Sequence, residues 1–249
     1  MKISIVTVCY NSSETIGRTL TSVQNQSYEH IEHVIVDGLS TDHTINIVNQ
    51  FNHVAKVISE KDGGIYDAMN KGIKLASGEV VGILNSDDFF TTNDIVEEIA
   101  AKFKNSSIDA LYADVQFVSI KNEHKITRYY SSSSWNINRF KYGFMPAHPS
   151  FYIRRKYYNT LGYYKTDYKI AADFDLLLRF FTKGNLKYTY WNRPIVNMRE
   201  GGISTQDLKS KYILSKEILR SCEENSIRSN WFYMIYRLIF KIVELMFRK

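Results

Sequence analysis

Two adjacent carboxylates, Asp87 and Asp88, close the run Asn85-Ser86-Asp87-Asp88 directly after the apolar stretch Val80 to Leu84. Side by side at a strand end they repel each other unless positive charge lies between or beside them, and a divalent cation meets that need. Hard oxygen ligands suit Mg2+ or Mn2+, which complete their shells with water and substrate phosphates. One of the pair could equally cap a helix expected from Asp94 to Phe103, with the other exposed, and the pair alone leaves both readings open. Asp37 and Asp62 end two further strand-like runs, so four acids fall on one predicted sheet edge. Carboxylates there can accept the imide N–H of a uracil or ribose hydroxyls, although Asp37-Gly38 and Asp62-Gly63 are also good turn formers. No Gly-x-Gly-x-x-Gly follows the first strand and no Walker sequence occurs, which disfavours dinucleotide and P-loop ATP sites.

The elements that must position these acids are legible as repeated strand, loop and helix units. Ile3 to Val8 is a β-branched apolar run, Tyr10-Asn11-Ser12-Ser13 a polar turn, and Ile16, Leu20 and Val23 mark a helix. The pattern recurs in His33 to Val36 with a helix through Ile45 and Val48, and in Val54 to Ser59 with a helix over Ile65 to Ala76. Strands alternating with helices predict a single-domain α/β fold, a Rossmann-like mixed and mainly parallel sheet whose ligands sit beyond the strands' carboxyl ends. Further on, Ala110 to Val118, Ile126 to Tyr130 and Phe151 to Arg154 read as strands and Asp173 to Lys183 as a helix closed by Gly184-Asn185. His148, between Pro146 and Pro149, could contact an acceptor, a donor phosphate or nothing, a surface histidine being the commoner outcome. Gly201-Gly202 permits a tight turn that could cradle a phosphate or an acceptor.

The bulk properties narrow the class. The 249 residues suffice for one large domain, and a formal charge of +6 lies mostly after Lys121, which points to a localised basic surface. No RRM signature, zinc spacing or basic helix-turn-helix accompanies it, so nucleic acid is excluded as a partner. Cys9 and Cys222 are the only cysteines, which fits a cytoplasmic protein without a disulfide framework. Met1 to Val6 runs straight into a strand, without a signal-peptide pattern.

In order and spacing, Val6-Thr7-Val8-Cys9-Tyr10-Asn11, Val36 to Asp42, Asp62 to Gly72, Asn85-Ser86-Asp87-Asp88 and Ala172-Asp173-Phe174-Asp175-Leu176 resemble the family 2 glycosyltransferases. The resemblance runs from Ile3 to about Ser204 and implies the nucleotide-sugar-binding fold called type A. It implies that Thr7, Tyr10, Asn11, Asp37 and Asp62 surround the base and ribose of a donor, that Asp87 approaches the ribose or the metal, and that Asp88 binds the metal. Asp173 would be the general base of an inverting transfer; without the resemblance it reads as a helix N-cap, worth about 1 kcal/mol. Two residues depart from the family pattern: Ala172 replaces the first acid of its Glu-Asp pair, and Gly38 stands where many members carry a second Asp. The stretch Asp62 to Gly72, with His148-Pro149-Ser150-Phe151 and Gly201-Gly202-Ile203-Ser204, is similar to the branch that builds bacterial surface polysaccharides of O-antigen, capsule or colanic-acid type. A UDP-linked sugar donor and a lipid-pyrophosphate-linked saccharide acceptor are the implied partners. No Gln-x-x-Arg-Trp sequence occurs, which favours single-sugar addition.

The expected organisation is a catalytic domain over 1–205, divided into a nucleotide-sugar half over 1–107 and an acceptor half over 108–205, with a helical extension over 206–249. In that extension Arg237, Lys241, Glu244 and Arg248 form one polar stripe on an otherwise apolar helix, predicted to lie on an anionic membrane at the cytosolic face of the inner membrane. Packing on the core or on a second subunit of a homo-oligomer is the competing expectation. Two other functions stay open at this level, a nucleotidyltransferase and a non-catalytic carbohydrate- or lipid-binding module.

Overall fold

In the computed structural model, which describes residues 1–105, 107–200 and 208–247, nine strands join one sheet. Four parallel strands come first: β1 (Ile3–Cys9), β2 (Ile31–Asp37), β3 (Val54–Ser59) and β4 (Val80–Ile83), in the spatial order β3-β2-β1-β4. β1, β2 and β4 are almost wholly buried, which is why they read as unbroken apolar runs, whereas β3 at the edge alternates between half-buried and exposed residues. Helices cover both faces. On one, α1 (Ile16–Gln24) and α2 (Thr44–Val48) pack through Ile16, Leu20 and Val48 onto Ile35; on the other, α3 (Ile65–Leu75) sets Ala68, Met69 and Ile73 against Val6 and Val36. Gly72 lets α3 approach β1, since a Cβ there would meet Val6 Cγ1 at 2.3 Å.

The second half turns the sheet mixed. After the two-residue β5 (Phe89–Phe90) and α4 (Ile95–Asn105) come β6 (Ala110–Ser119), β7 (Asn122–Tyr130), β8 (Tyr152–Arg154), α5 (Lys156–Leu161), α6 (Ala172–Lys183) and β9 (Tyr188–Arg199). β8 lies antiparallel between β4 and β6, and β9 runs parallel to β6. β5 and β9 have no counterpart in the pattern reading. Pro194 and Asn192 break the apolar rhythm of β9, and the ladder absorbs the proline by slipping register around Asp114.

α7 (Leu208–Glu224) packs against α6, where the fully buried Asp175 accepts from Lys165 Nζ (3.0 Å), Arg179 Nε (2.8 Å), Ser221 Oγ (3.1 Å) and Asn225 Nδ2 (3.3 Å). Ile218, Cys222 and Met234 complete the main hydrophobic cluster.

In α8 (Trp231–Phe247) one residue of the expected polar stripe, Arg237, is only 8% exposed and turns inward with Met234, while Arg248 lies outside the described residues. Phe232, Ile235, Ile239, Ile242 and Val243 are exposed instead, so the basic side packs on the fold and the apolar side looks out.

At Gly82 in β4 a Cβ would lie 2.2 Å from Cε1 of the buried Tyr152 ring, which has no room to retreat. Gly82→Ala is therefore expected to lower unfolding free energy by about 1–3 kcal/mol. A chemical-denaturation midpoint equal to that of the wild type would show that the ring yields freely.

Candidate active site

The carboxyl ends of β1, β2 and β3 are tied together by small polar side chains. Asn11 adopts a left-handed backbone, φ 48°, which asparagine tolerates. Its N–H donates to Ser40 Oγ (2.8 Å) and its Oδ1 accepts from Thr41 N–H (2.9 Å), so it clasps the loop after β2. Asp37 is fully buried and accepts from Ser40 N–H (3.0 Å), Ser59 Oγ (2.6 Å) and the Ser40 hydroxyl. Leu39 beside it sits at φ 66°, a strained conformation for a branched side chain.

Gly38 explains its own departure from the family pattern. A Cβ there would lie 2.6 Å from Asp62 Oδ2 and 3.4 Å from Tyr10 Cδ2, so the glycine leaves the space in which the Asp62 carboxylate and the Tyr10 ring meet. Tyr10 is 63% exposed, and Asp62 accepts from Gly64 N–H (2.9 Å) while keeping access to solvent. Asn11 and Asp87, also in the nucleotide set, are exposed as well. Thr7 is not: it is buried in β1 with its hydroxyl 3.0 Å from His33 Nε2, because a side chain two residues inside the strand end belongs to the sheet interior. Asn11 and Asp37 tie the loops of the pocket together.

Ser86 Oγ donates to Ser12 Oγ (3.0 Å) and so joins the β1 loop to the acidic turn after β4. In that turn Asp88 is 2% exposed and accepts from Asn85 Nδ2 (3.1 Å), whereas Asp87 is exposed at the lip. Burial, followed by the neighbouring Asp87 charge, pushes Asp88 well above the usual carboxylate range, and Asp87 is raised by its packed surroundings. The side-chain oxygen of Asn85 is buried with no donor. Two crowded carboxylates and an unpartnered amide oxygen are hard donors lacking positive charge, which fits Mg2+ or Mn2+. Among the described residues no three His, Cys, Asp or Glu side chains group closely enough to hold a metal, so water and substrate phosphates would supply the remaining ligands.

Arg199, at the end of β9, is the cation nearest in effect to this pair, lowering both carboxylates while it pairs with Glu123. It was not singled out in the sequence. Its only signal there is its place just ahead of Glu200-Gly201-Gly202. Gly201 and Gly202 themselves lie outside the described residues.

Asp173 stands apart from the pair, in the first turn of α6, and accepts from Phe174 N–H (2.7 Å). It is half-buried, and the loss of water raises its carboxyl to about 6. The preceding Ala172 is fully buried in the core cluster, so the family's first acid has no counterpart at the surface of this site. Tyr66 and Tyr164 stack at 5.7 Å between centroids, and the Asp173 charge acts on both. His148 is not the surface residue expected. Pro149 folds the chain back into a short 3-10 turn that buries it, its Nε2 meets the Tyr164 hydroxyl, and burial holds it neutral with a pKa of about 4.

With this geometry in place, the family model described as glycosyl transferase family 2 matches residues 4–168. The chain belongs to that family. It is a glycosyltransferase, similar at 30% identity over 223 residues to a PGL/p-HBAD biosynthesis glycosyltransferase of Mycobacterium tuberculosis, covering 87% of this chain and 82% of that one. A stretch of 100 residues, 39% of each chain, is 35% identical to an Escherichia coli UDP-Glc:alpha-D-GlcNAc-diphosphoundecaprenol beta-1,3-glucosyltransferase, WfaP. In fold, this glycosyltransferase matches S. aureus TarS in complex with UDP-GlcNAc, with a TM-score of 0.68, 22% identity and coverage of 88% of this chain and 67% of that one. A mannosyltransferase from Pyrobaculum calidifontis in complex with GDP-Man and Mn2+ gives a TM-score of 0.64 at 18% identity, over 90% of this chain and 63% of that one. The expected type A fold is thus borne out.

Two outcomes follow from Asp173. Its folded pKa exceeds the unfolded 3.8, so the folded state favours the neutral acid, and ionisation above about pH 6 weakens folding. Asp173→Asn should therefore be more stable than wild type at pH 7.5 and equal to it below pH 4, measured by denaturation at both pH values. If Asp173 serves as the base of the transfer it must be ionised, and kcat should fall as pH drops through about 6 with a slope of one proton.

Proposed function

We propose that this chain is an inverting, metal-dependent, non-processive glycosyltransferase that moves a hexose or N-acetylhexosamine from a UDP-sugar to a hydroxyl of a lipid-linked saccharide in bacterial surface-polysaccharide synthesis. The observation that carries it is a division of labour between acids: an under-satisfied carboxylate pair ends β4, and a separate half-buried carboxylate opens α6 with a pKa near neutrality. Tyr10 would lie against the base and Asp62 would accept from base or ribose, Asp87 the ribose, while Asp88 with Asp87 would hold the cation. Bound there, Mg2+ or Mn2+ supplies positive charge against the diphosphate.

Asp173 takes the proton of the acceptor hydroxyl as its oxygen attacks the anomeric carbon and the bond to the diphosphate breaks. Attack from the side opposite the leaving group inverts the configuration. Tyr66 and Tyr164 wall the base, and His148, held neutral by burial and bonded to Tyr164, fixes that wall without competing for the proton. Support for the donor and acceptor classes comes from the UDP-GlcNAc bound to the similar TarS and from the diphosphoundecaprenol acceptor in the name of the partial relative WfaP.

The outward apolar face of α8 supports docking on an anionic membrane surface at the cytosolic side, beside a lipid-linked acceptor. Among the described residues no helix is long and apolar enough to cross a membrane.

Asp88→Asn should lose metal-dependent UDP-sugar binding, whereas Asp173→Asn should keep it and lose transfer by about 10²–10⁴-fold. Calorimetry with Mn2+ and a panel of nucleotide sugars reads the first, and product formation on a lipid-diphosphate saccharide reads the second. No turnover with any donor sinks the proposal. For α8, the double variant Phe232→Glu with Ile239→Glu should cut binding to phosphatidylglycerol vesicles in flotation. Equal flotation of the variant and the wild type removes the membrane role.

A further inference from the structure

The chain between β7 and β8 packs against α8, and the two enclose a cavity of about 340 Å³ to which the transfer assigns no role. Aromatic contacts make the joint. The Phe144 and Phe240 rings meet edge to face with centroids 5.3 Å apart, and Tyr142 meets Tyr233 at 4.7 Å. Trp135 forms part of the buried wall, its indole N–H donating to Phe144 O (3.1 Å).

Two cations, Arg139 and Lys241, line this cavity, and none of its lining residues is an acid. Arg139 is held in one pose. Its Nη1 donates to Ser134 Oγ (2.8 Å) and Ser134 O (3.4 Å), and its guanidinium carbon lies 5.1 Å from the Phe144 centroid and 5.6 Å from that of Phe240. Among the described residues no acceptor meets its Nε or Nη2. Segment 131–134 adds four serines to the wall, of which Ser132 is buried and spends its hydroxyl on Ala113 O (3.2 Å), whereas Ser133 and Ser134 are exposed.

The place of the cavity in the fold indicates its ligand. Val243 lines it and is 44% exposed, on the apolar side of α8 that also carries Ile239 and Ile242. The cavity thus lies on the flank of the face that would rest on a membrane, where phosphates sit above the first methylenes of the acyl chains. A fixed guanidinium, an ammonium and hydroxyls suit phosphate oxygens, and the aromatic and valine walls suit glycerol and methylene groups. A choline headgroup brings a cation of its own, which a wall with two cations and no acid disfavours.

We propose that this cavity is a headgroup site for an anionic membrane phospholipid, whose phosphate is held by Arg139 and Lys241. The proposal rests on the reading of α8 as a membrane-docking helix and names the lipid chemistry that this docking selects.

The test uses the full chain in EDTA, so that no metal joins a phosphate to Asp87 and Asp88, with dihexanoyl-phosphatidylglycerol below its micelle concentration as the probe. Calorimetric titration should show binding to wild type, and binding about tenfold weaker to the double variant Arg139→Gln with Lys241→Gln. Dihexanoyl-phosphatidylcholine should bind wild type more weakly than the glycerol lipid does. Ser133→Glu sets a carboxylate at an exposed position of the same wall and should weaken binding comparably, so it decides alone if the double variant does not fold. An affinity unchanged in either folded variant overturns the proposal. So does binding of farnesyl diphosphate, lost in these variants, where the glycerol lipid does not bind, because the cavity then serves the lipid of the acceptor. Phe232→Glu with Ile239→Glu lies outside the cavity wall and should keep the short-chain affinity while it loses flotation. If wild type itself does not float on phosphatidylglycerol vesicles, the membrane reading fails, and the short-chain titration still decides the cavity.

Discussion

Negative charge gathers at one edge of the parallel sheet, and the protein must hold it there without matching cations. Each carboxylate at the end of β2 or β3, or in the loop between them, has a local solution. Asp37 is saturated by Ser40 and Ser59, Asp42 by the amides of Ser13 and Thr44, and Asp62 leans on the Gly64 amide. These bonds lash the loops to one another, so satisfying the acids and shaping the pocket are a single act. Asp87 and Asp88 lack such a solution. Their crowding persists against the Asn85 amide and the Arg199 charge, and a site that stays under-satisfied while its neighbours are saturated is where a charged ligand gains the most.

The same logic separates what the sequence displays from what it hides. Strands buried on both faces announce themselves by composition alone, which is why β1, β2 and β4 are readable residue by residue. β9 is hidden because Pro194 is tolerated only through a register slip with β6, a compensation made by another segment far away in the chain. Asp88 and Asp173 are readable as chemistry because motif and element coincide. Thr7 shares that motif yet bonds His33 inside the sheet, and Asn11 and Asp37 tie the loops, since a pattern of residue types does not record which side chains find partners within the fold. His148 carries no local sign of burial; its partner Tyr164 comes from another turn.

α8 illustrates the limit most sharply. A helix with one polar and one apolar face fixes the existence of two faces but not which of them meets the protein, because that depends on what the rest of the fold offers. Here the fold offers Gly143, a notch that accepts a guanidinium, and aromatic rings at Tyr142 and Phe144 that take Tyr233 and Phe240. Those contacts turn the basic side inward and leave the apolar residues to an outside partner.

That inversion links two features that otherwise stand separately. Turning α8 about its axis would return the apolar face to the core and withdraw Arg237 from its slot, so the exposed face and the buried arginine are consequences of one orientation. Asp173 shares in it, because the Arg237 charge lowers a carboxyl that burial raises and so keeps the acid close to the pH at which a base is useful. The helix thereby carries both the surface where a lipid-borne substrate would arrive and a charge that acts on the Asp173 carboxylate. Its apolar outer face is unfavourable in water and would become favourable against a membrane surface that carries the acceptor.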